Sequence, residues 1–331
     1  MSAPMIIKEF RHTMHINEKV ISRNHSIDLL KFILAFEVVM LHCNQEPAFI
    51  FTPIVNSAVP CFFMISGYFI FSVDRDVRLV RLKKGIRRIA VILLWSTLIC
   101  SLNDWYRLAF HHEWGITFYD VFIKFLLFNE NPFAFHLWYI AAYLYVLIIF
   151  YLMDKHSMKI SGYFILSLWI IGVLIKGYLQ YRQADNSYCF YYRNFLFQGV
   201  PFFYFGMLVK QKISVLQRIK VPYIILYILV FELLAIFIGP VKYVSSSLIA
   251  SLSFLLFLKI QMRKLNSFSK IGEEDGLYIY IFHPLVMNAF KVMMGMNLIP
   301  YNPYLFATVV FISTIILIRL SRLSFVRLLN R

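Results

Sequence analysis

Acidic residues are scarce in this sequence: 17 Asp and Glu stand against 33 Lys and Arg, a formal net charge of +16. Such an excess suits nucleic acid or anionic lipid. The basic residues, however, fall in short clusters between apolar stretches, which is how loops set membrane topology. Cysteine is nearly absent. Cys43, Cys61, Cys100 and Cys189 form no CxxC pair and lie mostly in or beside apolar runs, so they read as small core residues rather than a disulfide framework or metal site. There is no Gly-rich phosphate loop, no GxSxG elbow and no spaced set of metal ligands, which argues against a nucleotide-hydrolysing pump. Residues 1–25 are polar and mixed in charge, without the short apolar core and small-residue cleavage site of a signal peptide.

What is abundant is apolar surface. The 331 residues are 60% hydrophobic and 18% aromatic, with mean hydropathy +0.69. No soluble domain needs that much, so the expected fold is an all-α, polytopic transmembrane helix bundle. Ten spans are expected, at about 27–43, 54–73, 87–102, 136–153, 160–179, 194–209, 221–238, 243–258, 276–294 and 304–320. This gives a cytoplasmic segment 1–25, a transmembrane domain 26–320 and a cytoplasmic tail 321–331. With the N-terminus inside, 25 Lys and Arg fall on inner segments and 7 on outer ones, which places both termini in the cytoplasm. Residues 121–128 are too short to cross and suit a surface or re-entrant helix.

Two outer connections are long. Residues 103–135 hold Asp104, His111, His112, Glu113, Asp120, Glu130 and several aromatics; residues 180–193 hold Asp185, Tyr181, Tyr188, Phe190, Tyr191 and Tyr192. Such a mixture suits stacking against sugar rings, or an interfacial aromatic belt. A weak echo links Pro60–Gly67 with Pro201–Gly206: both place Pro early and Gly later in an aromatic span, too little for an inverted repeat.

The chemistry concentrates in residues 26–42, apolar yet carrying Asp28, Lys31, Glu37 and His42. Charged groups in hydrocarbon are costly and usually face a bundle interior or wet cavity. At roughly 100° per residue, Lys31 and His42 lie within about 20° of one face and about 16 Å apart along the axis; Asp28 is about 40° away and Glu37 about 140°. His42 could serve as a general base or an acyl relay and Lys31 hold an anion; alternatively Lys31 snorkels and His42 sits at the interface. The run Arg75–Arg88 carries seven basic residues and reads as a topology determinant, a phosphate-binding patch, or both. His136, Trp138 and Tyr139 open the fourth span, His283 precedes Pro284 inside the ninth, and Glu232 is a further acid within the seventh.

At these residues the chain resembles integral-membrane acyltransferase family three, whose bacterial members O-acylate cell-surface polysaccharides. The family's opening Arg, ten residues, His stands here as Lys31-x10-His42. Similar in order are Pro60-Cys-Phe-Phe-Met-Ile-Ser66-Gly67-Tyr68, Lys84-Gly-Ile-Arg87-Arg88-Ile89, His136-Leu-Trp138-Tyr139, Arg193-x7-Pro201-Phe-Phe-Tyr-Phe-Gly206 and Ile271-Gly272-x5-Tyr278-Ile-Tyr-Ile-Phe-His283-Pro284. Two departures stand out. Lys31 keeps the charge of the usual Arg but loses its fork, and Gly85 occupies a commonly basic position, where Lys84 or Arg81 would substitute.

The resemblance implies transfer of an acyl group, most often acetyl, from cytoplasmic acyl-CoA to a hydroxyl of a surface polysaccharide or lipid-linked glycan. Acetyl-CoA is then a donor substrate, with no tightly bound cofactor, no metal and no nucleic-acid partner, and the setting is a bacterial cytoplasmic membrane. It assigns catalysis to His42 with Lys31 and Asp28, and donor binding to Arg78, Arg81, Lys84, Arg87 and Arg88. Acceptor binding or cavity lining falls to Ser66, Gly67, Glu37, His136, Trp138, Arg193 and His283, with Ser66 or nearby backbone supporting the oxyanion. The competing expectation is a transporter or flippase of the same glycan, which also uses many spans, intramembrane charge and Pro/Gly-broken helices.

Overall fold

The computed structural model describes residues 24–43, 52–101, 117–184, 186–238, 242–262, 264–296 and 302–329. The N-terminal basic residues, and Asp104, His111, His112, Glu113 and Asp185 of the outer connections, lie outside the described residues. Every regular element among the described residues is helical. The main ones are α1 (His25–Cys43), α2 (Thr52–Asn56), α3 (Ala58–Ile70), α4 (Arg75–Cys100), α5 (Trp138–Lys155) and α6 (Gly162–Tyr181), followed by α7 (Val200–Gln211), α8 (Val221–Phe237), α9 (Lys242–Lys259), α10 (Ser267–Glu274), α11 (Gly276–Gly295) and α12 (Pro303–Leu329). Among the described residues, six helical runs are long and apolar enough to cross a bilayer. α8 is apolar but shorter, and α1 and α4 carry more charge than that standard admits. This is a multi-pass membrane protein.

α1 is the axis of the bundle. Leu30, Leu34 and Val38 pack into a large core with Phe63 and Met64 of α3, Leu147 of α5, Phe203 of α7 and Phe254 of α9. Ala35 and Val39, on its other side, join a second core with Ile279 of α11 and Phe306, Val310 and Phe311 of α12. A helix apolar on both sides is one buried on both sides. By contrast α6 and α8 expose Ile170, Ile171, Leu174, Leu226, Leu229 and Leu233, apolar side chains that only lipid solvates well.

The echo noted in the sequence has a structural meaning. A Cβ on Gly67 would overlap the Phe203 carbonyl, and a Cβ on Gly206 would overlap the Met64 carbonyl. Each glycine therefore admits the backbone of the other's helix, and α3 and α7 pack closely at both points. Gly272 does the same for α10, lying against the Asp28 carbonyl of α1.

Ion pairs mark one end of the bundle. Arg78 forks onto Asp154 at the end of α5 (Nε–Oδ2 2.9 Å, Nη2–Oδ1 2.8 Å), and Ser26 donates to the Ile260 carbonyl just beyond α9. The starts of α1, α4 and α6 and the ends of α5 and α9 thus share this basic end. At the opposite end buried asparagines hold the backbone, beside an ion pair of Lys124 with Asp120. Asn129, at φ 58°, donates to the Trp138 carbonyl (3.1 Å) and accepts from the Phe195 amide (2.8 Å). Asn131 donates to Thr97 Oγ1 (2.7 Å). The 121–128 stretch is short here too: a wide helical turn at Asp120–Phe125 runs into Leu126–Phe128.

Candidate functional site

A cavity of about 310 Å³ opens among α1, α3, α4, α5, α10 and α11, at the lower edge of the size that holds small ligands. Toward the basic end its wall includes Lys31, Gly85, Arg88 and Glu273; deeper in it includes Ser66, Tyr139, Tyr143 and Tyr280. Lys31 Nζ lies 3.0 Å from Asp28 Oδ1. Asp28 is buried, and its charge offsets that of a lysine otherwise held 5.5 Å from the Phe69 ring centroid. Arg88 is exposed and has no hydrogen bond or ion pair among the described residues, so its fork remains free for an anion.

Of the basic run, the structure brings Arg88 to the cavity, with Gly85 beside it. Arg78 is occupied by Asp154 and by the Ser72 carbonyl (2.7 Å). Arg81 donates to the Phe71 carbonyl (2.9 Å) and the Phe69 carbonyl (3.2 Å), closing the end of α3. Lys84 and Arg87 face outward. The charge density legible in the sequence is therefore divided: part fastens α4 to its neighbours and part faces the cavity mouth.

Beyond the deep end of the cavity lie three histidines. The His42 ring is tilted over His283 with centroids 5.1 Å apart, and His136 stands edge-on to His283 at 6.0 Å. The cavity-lining Tyr280 ring is 6.4 Å from His283 and 6.3 Å from His136. Its hydroxyl donates to the His136 carbonyl. His283 is fully buried, and its Nδ1 lies 3.0 Å from the Tyr280 carbonyl and 3.1 Å from that of Ile279. Both partners are acceptors, so Nδ1 carries the proton and Nε2 presents a lone pair, which is buried without a partner. Pro284 explains the arrangement: lacking an N–H, it leaves the Tyr280 carbonyl without its helical bond, and the imidazole supplies the missing donor. His136 Nε2 likewise meets a carbonyl, that of Ile281, at 3.1 Å.

Lys31 and His42 share one side of α1 as their spacing predicts, but the cavity is lined by Lys31 and not by His42, whose ring lies against His283. Ser66 lines the cavity, donates to the Phe62 carbonyl (2.9 Å) and lies within hydrogen-bond reach of the Tyr139 and Tyr143 hydroxyls. Gly67 serves helix packing. Arg193 stacks over Phe135 (4.5 Å) and the buried Trp138 (5.0 Å), close enough for its charge to act on His42. Glu37 lies elsewhere, buried with one oxygen unpartnered and within electrostatic range of Glu232.

Tyr139 stood in the sequence only as part of the motif that opens the fourth span; Tyr143 and Tyr280 carried no assigned role. For Tyr280 a signal existed: three residues before His283, it falls on the same helical face.

No curated protein and no solved structure matches this chain. A family model described as an acyltransferase domain matches residues 24–320, from the first turn of α1 to well inside α12 and across both the cavity and the three histidines. The chain therefore belongs to acyltransferase family 3, as a multi-pass membrane member.

Proposed function

We propose that this protein moves an acyl group, acetyl first among the candidates, from acyl-CoA arriving at the basic end to a hydroxyl of a cell-surface or lipid-linked saccharide at the opposite end, in a bacterial cytoplasmic membrane. The observation that carries this reading is the continuity from Arg88 and Lys31 at the cavity mouth to Tyr280 at its base, with the histidines directly behind. The phosphates of the donor meet Arg88 and Lys31, and the pantetheine arm extends inward past Ser66.

His42 takes the proton of the acceptor hydroxyl, and the resulting alkoxide attacks the thioester carbonyl. The tetrahedral intermediate expels the CoA thiolate, which is protonated as His42 returns to neutrality. The hydroxyls of Tyr139 and Tyr143, and that of Ser66 once it turns from the Phe62 carbonyl, are the donors for the oxyanion. The neutral His283 ring, its centroid 5.1 Å from that of His42, lies against the imidazolium that His42 becomes.

The test is purified protein with acetyl-CoA and acceptor glycan, following free thiol and glycan mass. Turnover releases one thiol per acetylated product, and His42→Ala lowers that rate by at least about 10²-fold while leaving the melting temperature in place. Full activity in that variant removes His42 from the reaction. A carrier of the same glycan would release no thiol at all.

A further inference from the structure

A second cavity, of about 270 Å³, lies between α6, α7 and α9, away from the three histidines. Its walls are almost wholly apolar, with Trp169, Tyr204, Phe205 and Leu208 among them, and Ser247 and Ser251 the few hydroxyls. Trp169 Nε1 donates to Ser247 Oγ at 3.3 Å, joining α6 to α9 at the upper edge of the groove.

The two helix faces that line this groove continue beyond it and converge on a cation. On α6, Gly162, Ile165 and Trp169 fall at helical spacing, and seven residues past Trp169, about 10 Å along the axis, the same face presents Lys176. On α9, Ser251 and Ser247 are followed one turn on by Tyr243. Lys176 Nζ lies 4.5 Å from the Tyr243 ring centroid and 5.4 Å from that of Tyr192. Gln198 Nε2 donates to the Tyr243 hydroxyl at 3.1 Å, fixing that ring. Lys176 has no carboxylate partner among the described residues. The charges nearest to it, Arg193 and Lys242, have its own sign.

A half-buried lysine among like charges, held against ring faces, is an anion site in want of an anion. The apolar groove lies about 10 Å farther along the same faces of α6 and α9. We propose that this is a binding site for a phosphate-bearing lipid, with the phosphate on Lys176 and one chain laid in the groove toward Gly162. The charge complementarity calls for an anionic headgroup, and the shared helix faces tie headgroup and chain to a single molecule. The assignment stands on binding geometry and is independent of acyl transfer.

The test is native mass spectrometry of the full-length protein in detergent, with phosphatidic acid, diacylglycerol and glycerol 3-phosphate as probes. Phosphatidic acid binds one to one, with at least tenfold higher occupancy than diacylglycerol, which lacks the phosphate. Lys176→Gln brings it down to the diacylglycerol level, and Lys176→Arg retains it, which separates loss of charge from loss of fold. Gly162→Phe fills the lower groove, where a Cβ meets open space; it weakens long-chain phosphatidic acid several-fold and leaves the dihexanoyl form unchanged. Equal binding of glycerol 3-phosphate and phosphatidic acid would make this a free-phosphate site. Unchanged occupancy in Lys176→Gln would overturn the assignment outright.

Discussion

His283 donates from Nδ1 to the carbonyl of Tyr280 at 3.0 Å, taking the place of the amide that Pro284 cannot offer. One residue thus mends the helix and fixes its own tautomer, leaving Nε2 a buried lone pair without a partner. This makes the structural and the chemical roles of His283 separable.

His283→Ala leaves the Tyr280 carbonyl buried and unpaired, which costs about 1–3 kcal/mol and shows as a lower unfolding temperature in detergent. In the double variant His283→Ala, Pro284→Ala the new amide at 284 satisfies that carbonyl. Stability recovers in part while acyl transfer stays impaired. Recovery of activity along with stability would confine His283 to a structural role.

The two arginines of α4 separate by the same logic. Arg88 lines the cavity, so Arg88→Ala raises the KM for acyl-CoA roughly tenfold or more, the loss expected for a charge-assisted bond worth about 1.5–3 kcal/mol, and leaves the melting temperature alone. Arg78 is bound to Asp154, so Arg78→Ala lowers the melting temperature by roughly 2–4 °C without moving KM. Steady-state kinetics beside a thermal melt reads both.

At the contact of α3 with α7 the expected effect is larger. Gly67→Ala sets a methyl group into the Phe203 carbonyl, and Gly206→Ala sets one into that of Met64. Backbone cannot yield there as a side-chain tip can, so either variant loses about 3 kcal/mol or more. The measurable outcome is a collapse in monodisperse yield. Gly162→Ala, where nothing stands within 4 Å, expresses normally.

Asp120 supplies a pH test away from the spans. Its hydrogen bonds with Lys124 and Thr117 hold its pKa down to about 2 from 3.8, with Lys124 Nζ at 2.8 Å. A folded-state pKa below the unfolded one stabilises the pair above about pH 4, and that support is lost as pH falls through 2. Pepsin cleavage within residues 117–130 therefore rises between pH 4 and pH 2 in the wild type relative to Asp120→Asn, which has no such dependence. Parallel profiles for the two proteins would show that the pair does not order this segment.

The sequence by itself determined the class of fold and the neighbourhood of the chemistry. Apolar runs must be solvated by lipid, so helices follow from composition, and the angular spacing of Lys31 and His42 placed both on one side of α1. The six conspicuous apolar runs were legible on that ground; the count of ten adds shorter or more charged apolar stretches, and the sidedness rests on charge distribution alone. What spacing along one helix cannot carry is which other helix arrives opposite. Only the tertiary structure brought His136 and His283 to His42 from residues far apart in the chain, placed the cavity-lining Tyr280 beside His136 and His283, and divided the basic run between Asp154, the end of α3 and the cavity mouth. An arginine reads the same in a sequence whether its fork is engaged or free. The difference lies in a carboxylate 76 residues away.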